Sequence, residues 1–176
     1  PHDALPILVW RGDDNAGGLV DDETEVFGQR LDAATGAEVG SNDFRISEMG
    51  GTGNVDYGAQ GTAVTYNSID NEYLVVWIGD DNVGGLVNGE NEVFGQRLNA
   101  ATGTALGAND FRISDMGGTG DANYDTSFVE VTYNAADNEY LVVWTGDDNV
   151  GGLVDNESEA CGQRREAATG DEVGSN

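Results

Sequence analysis

Lysine is absent from this sequence, histidine and cysteine occur once each, and only two prolines stand among its 176 residues. Each scarcity excludes something. With seven arginines against 33 acids the net charge is −26, a field that repels nucleic acid and anionic membrane surfaces. His2, at the very start of the chain, leaves no Ser-His-Asp triad and no histidine metal site. Cys161 alone forms neither an intrachain disulfide nor a multi-cysteine zinc site. No apolar run approaches the roughly 20 residues of a membrane helix, so no membrane insertion is expected. No signal peptide is visible, although the sequence opens in a strand-like segment and a leader could precede it. Against these absences stand 27 glycines and 38% hydrophobic residues, a composition for tight turns around a real core.

Self-comparison finds one repeat of 67 residues. Trp10, Trp77 and Trp144 share a position, as do Gly28-Gln29-Arg30, Gly95-Gln96-Arg97 and Gly162-Gln163-Arg164. Asn42-Asp43-Phe44-Arg45-Ile46-Ser47 returns without a gap at residues 109–114, and the last residue, Asn176, matches Asn42 and Asn109. The period divides the chain into a partial repeat at 1–42, holding the last two strands and an acidic loop, and complete repeats at 43–109 and 110–176.

Four strands are expected per unit. Residues 129–133 alternate, with Val129, Val131 and Tyr133 on one face. A turn through Asn134, Asp137 and Asn138 leads to residues 140–144, a continuous apolar run that implies burial on both faces. Residues 92–98 form the third strand and 110–114 the fourth, with Phe111 and Ile113 on one face. The chain reads as all-β, with tandem four-stranded antiparallel blades.

The segments Leu-Val-Val-Trp, Glu-Val-Phe-Gly-Gln-Arg and Phe-Arg-Ile-Ser resemble repeats of secreted bacterial proteins with sialidase-like β-propellers. The resemblance implies a propeller-like fold and an extracellular or cell-surface location. It departs in one place: the loop between the second and third strands is longer and more acidic. About 2.6 units of 67 in 176 residues also fall short of the roughly four to eight blades that close a ring. A fragment of a longer chain, a ring shared by several chains and an open stack or filament are the three arrangements this allows.

That loop is the best candidate site. It carries Asp13, Asp14, Asn15, Glu23 and Glu25 in the first copy. Asp80, Asp81, Asn82, Glu90 and Glu92 repeat them in the second, and Asp147, Asp148, Asn149, Glu157 and Glu159 in the third. Acidic and amide oxygens, a glycine-enabled bend and a distal glutamate are what calcium uses. The loop is not an EF-hand, since Gly84 stands where a third side-chain ligand belongs. The plainer alternative is a loop whose acids cap turns and stay solvated.

Arg30, Arg97 and Arg164 each need an acidic or carbonyl partner in a half-buried sheet, for which Asp43 or Asp110 in the adjacent strand is the candidate, and a ligand-binding arginine at the centre of a propeller is the functional alternative. The tryptophans each end a buried strand, so core packing is expected ahead of sugar stacking. Catalysis finds no foothold. Glu90 and Glu92 could pair as in a glycosidase, but every copy carries the same pair, whereas catalysis needs one pair in split environments. Arg11-Gly12-Asp13 and the sequon Asn156-Glu157-Ser158 each occur in one copy only, and Cys161 replaces Phe27 and Phe94 at a core position. The expected function is therefore a non-enzymatic structural or adhesive module, calcium-stabilised and assembling into a homo-oligomeric ring or filament. A carbohydrate-binding propeller with possible glycan partners is the first alternative, and a segment of a sialidase-like glycoside hydrolase the second.

Overall fold

The computed structural model describes residues 5–154 and 156–174; His2 and Asn176 lie outside that range. The described residues hold eleven strands and no helix. They form three antiparallel sheets, none closed into a barrel. The first contains β1 (Ile7–Asp13), β2 (Thr24–Leu31) and β3 (Glu38–Arg45). The second contains β4 (Ala59–Asn67), β5 (Glu72–Gly79), β6 (Glu92–Asn99) and β7 (Ala105–Arg112). The third contains β8 (Thr126–Asn134), β9 (Glu139–Asp147), β10 (Ser158–Glu166) and the short β11 (Glu172–Val173). Each is a meander in which sequence neighbours pair, so the chain has the form of open, propeller-like blades.

The fourth strand differs from the sequence expectation. It begins at Ala105 rather than at Asp110 and ends before Ile113. The Asn99–Thr104 turn brings Ala105 opposite Leu98, and a bulge then shifts the register between Gly95 and Arg97. Asp110 sits beside this shift in left-handed backbone, φ 49°. Gln96 braces the irregularity: its amide donates to the Arg97 and Leu106 carbonyls, and its Oε1 accepts the Asp110 N–H. Phe111 and Ile113 do share a side, both packing at the bare face of Gly95. The sheets are thus divided by linkers at 46–58 and 113–125, so the divisions of the period after 42 and 109 fall inside β3 and β7.

Alternation within the central strands makes the sheets stack. Tyr73, Val75 and Trp77 of β5 enter one core, with Val26, Ile46 and Met49 of the first sheet and its linker. Leu74, Val76 and Ile78 point the other way into a second core, against Tyr140, Val142 and Trp144 of β9. The whole of β5 is buried for this reason. In β9 the same Leu-Val-Val-Trp run is buried on one face only, because no sheet among the described residues covers the other, leaving Leu141 and Val143 about 40% exposed. At the opposite end of the stack Leu8 is 55% exposed. The same residues therefore bury twice or once according to their place in the stack, and the expected two-sided burial holds only in the middle sheet.

Candidate functional site

The acidic loops lie where the sheets join. In the second copy, Asp80 accepts the Gly58 N–H at 3.0 Å and the Gly89 N–H at 2.8 Å. Asp81 accepts the Gly50 N–H at 3.0 Å, and Asn82 donates its side-chain amide to the Gly50 carbonyl at 2.9 Å. Gly50 and Gly58 belong to the linker that leaves the first sheet. From the first sheet's own side, Glu23 takes the Gly53 N–H, and Glu25 takes the Met49 N–H at 3.0 Å and the Ser47 hydroxyl. The linker is thus held between two acidic loops, the aspartates of the sheet ahead and the glutamates of the sheet behind.

The next junction repeats the arrangement. Glu90 accepts the Gly120 N–H, and Glu92 accepts the Met116 N–H at 2.9 Å and the Ser114 hydroxyl. Asp148 accepts the Gly117 N–H at 3.2 Å, and Asn149 donates to the Gly117 carbonyl. The glycine that ends β5 has a packing cause. At Gly79 a Cβ would come within 2.8 Å of the Met49 sulfur and 3.2 Å of the Gly58 carbonyl oxygen, so any side chain there would hold the linker off the sheet.

The copies at the two ends show which half of each loop serves which junction. Asp14 is exposed and, among the described residues, accepts only the Ala16 N–H in its own loop, and Asn15 is exposed beside it. Asp13 and Asp147 keep the bond within the loop that Asp80 makes, taking the N–H of Asp22 and of Asn156. Glu157 caps its own loop at Val154, and Glu159 is exposed, while Glu25 and Glu92 are completely buried.

Burial dominates the electrostatics. It raises the Glu25 carboxyl and pushes Glu92 up to about 7, against the lowering effect of the serine hydroxyl, the methionine N–H and the nearby arginine. Asp110, whose carboxylate reaches from β7 to the Glu48 N–H at 2.7 Å, is also pushed up to about 7 by burial, with Glu25, Asp81 and Glu48 adding repulsion.

Calcium takes about six to eight converging oxygens. At the two junctions the loop oxygens face backbone N–H donors, and among the described residues no group of three or more acids, histidines or cysteines is gathered. There the loop's acids are not the solvated turn caps of the alternative expectation, whereas Asp14 and Glu157 at the ends of the stack are exposed and cap their own loops. Glu23, Glu25, Glu90 and Glu92 are fully buried, and Asp80 and Asp81 nearly so.

The strand arginines do find acidic or carbonyl partners, but not Asp43 or Asp110. Arg97 lies 3.5 Å from Glu72 and Arg164 3.2 Å from Glu139, the matching glutamates at the start of the second strands. Arg30 donates to the Ala101 carbonyl of the neighbouring sheet. Asp43 and Asp110 are held instead by the bulge, where local pairing of the fourth strand turns them away from the arginines. Trp77 and Trp144 are buried, and Trp10 stacks on Phe27 at 6.4 Å as Trp77 does on Phe94 at 6.5 Å. Trp144 faces Cys161 instead, beside a hollow of about 530 Å³.

Ser47 and Ser114 were not singled out by sequence reasoning, although the recurring Ile-Ser was a usable signal, and Asp110 was expected beside an arginine rather than at the Glu48 N–H. Phe128 was missed too; its signal is that Gly61 stands one period before it. No family model matches this chain, and no curated protein matches it.

Proposed function

We propose that this chain is a non-enzymatic structural module of the cell exterior or surface, which builds larger homomeric assemblies by adding sheets to its stack. The supporting observation is the directional packing of the sheets. Each junction sets the Tyr/Val/Trp face of one sheet on the Leu/Val/Ile face of the sheet before it. Leu8 and Trp10 on the first sheet belong to the former kind of face, and Leu141 and Val143 on the third to the latter. The two are the halves of a head-to-tail contact, which gives a ring if its rotation closes and a filament if it does not. High negative charge keeps such assemblies soluble and makes their growth depend on salt.

The test is light scattering after size exclusion, over a range of protein and salt concentrations. The wild type forms oligomers as concentration rises. Leu8→Glu spoils one face and Val143→Glu the other, so each alone is monomeric, and their mixture gives a dimer joined through the two intact faces. A monomer of 18.5 kDa under all conditions would sink the proposal. Calcium stabilisation is a separate proposal, supported by the charge of −26 and by the acidic loops, and would require the N–H-bound carboxylates to rearrange.

A further inference from the structure

Gly61 and Phe128 occupy the same place in successive repeats, within the bulges that interrupt β4 and β8. Both have left-handed backbone, with φ 51° and 52°. Glycine adopts this conformation freely, whereas a bulky side chain does so under strain, and such strain collects at functional positions. Packing gives nothing in return, because Phe128 is 84% exposed, the most exposed large hydrophobic among the described residues.

The ring borders a hollow of about 380 Å³ between the β4 and β8 edges, floored by Ile78 and flanked by Gln60, Thr62, Ser127 and Glu130. Among the described residues the side chains of Thr62, Ser127 and Glu130 form no hydrogen bond, and Gln60 makes only a long one, 3.4 Å to Asn91. One free aromatic face is thus surrounded by a hydroxyl-, amide- and carboxylate-bearing rim that the fold leaves unused.

We propose that Phe128 and this hollow bind a neutral saccharide. A pyranose has a face of C–H groups that can lie on the phenyl ring and an edge of hydroxyls that can bond to Gln60, Thr62, Ser127 and Glu130. Glu130 and the surrounding negative field disfavour uronic acids, sialic acids and nucleotides. A peptide adding as a strand would need a regular row of backbone groups, and bulges break that row on both edges. An apolar protein partner would need a wider apolar surface than one ring among polar neighbours. The inference stands independently of the assembly reading.

The experiment is calorimetric titration with methyl glycosides of glucose, galactose and N-acetylglucosamine and with their disaccharides, beside a uronic acid and an apolar peptide. The wild type binds at least one neutral sugar, with Kd of order millimolar, as suits a shallow one-ring site. Phe128→Gly binds at least about tenfold more weakly yet melts higher, having exchanged a strained residue for the one Gly61 already shows is tolerated. Phe128→Trp retains binding. Absence of neutral-sugar binding, undiminished binding by Phe128→Gly, a lower melt of that variant, or preference for the uronic acid or the peptide would each overturn the proposal.

Discussion

The carboxylate of Asp81 accepts the backbone N–H of Gly50 at 3.0 Å, across the boundary between the second sheet and the linker from the first. Thirty-one residues separate the two, and the bond recurs one period later between Asp148 and Gly117. A sheet in this stack is therefore fastened by apolar faces and by anionic oxygens set on otherwise unpaired N–H groups.

Asp81→Ala removes a buried acceptor from both Gly50 and Asn82. The expected cost is about 1–3 kcal/mol, read from denaturant unfolding. Asp14→Ala, at the equivalent exposed position, is expected to change stability by less than about 0.5 kcal/mol. Equal losses at the two positions would show that the contact between sheets contributes nothing particular.

Stability should rise as the solution is acidified from pH 8 toward pH 5. Glu92 and Asp110 both have folded-state values raised to about 7 from ordinary values of 4.5 and 3.8, so between those limits the folded protein binds protons that the unfolded chain does not. Their contribution is fully present below the unfolded values and is lost as pH rises through about 7. Glu92→Gln should flatten this dependence, since its side chain is neutral throughout. A wild-type melting temperature that climbs from pH 5 to pH 8 would contradict the assignment.

Cys161→Phe should stabilise the third sheet. It restores the ring that Phe27 and Phe94 stack on their tryptophans, beside a hollow of about 530 Å³ next to Trp144. A gain of about 1–2 kcal/mol is expected from the added apolar burial, with a blue-shifted tryptophan emission. Alkylation of wild-type Cys161 should be slow at neutral pH, because burial, Asp148 and Glu159 raise its thiol. A destabilised Cys161→Phe would mean that the hollow does not admit the ring.

Salt and calcium separate screening from a metal site. If the carboxylates keep their N–H partners, sodium and calcium at matched ionic strength should raise the melting temperature equally, and chelator should do nothing further. A rise of several degrees specific to calcium and reversed by chelator would place the ion in the loops.

Much of this architecture is legible from residue order alone. The period of 67 gives the spacing of the sheets, though its divisions fall inside β3 and β7, and alternation in Val129-Glu130-Val131-Thr132-Tyr133 assigns the inward face. The recurrence of Asp-Asp-Asn and of the two glutamates marks the loop that matters. Its partners are not legible: Gly50, Gly53 and Gly58 contribute backbone N–H groups, and every residue but proline carries one. The arginine partners were misread for a related reason. Asp110 looks like a neighbour of Arg97 until the Gln96-braced bulge takes its backbone into the left-handed region.

The sequence by itself determined the repeat, the first three strands of each unit and the excess of acid, because these follow from local spacing and composition. Only the tertiary structure decided that the acids clamp linkers between sheets, that identical Leu-Val-Val-Trp runs bury two faces in β5 and one in β9, and that Phe128 stands exposed where Gly61 stands one repeat earlier. The physical reason is that burial and hydrogen-bond partnership depend on the neighbouring sheet, and the neighbouring sheet is supplied by residues a full period away.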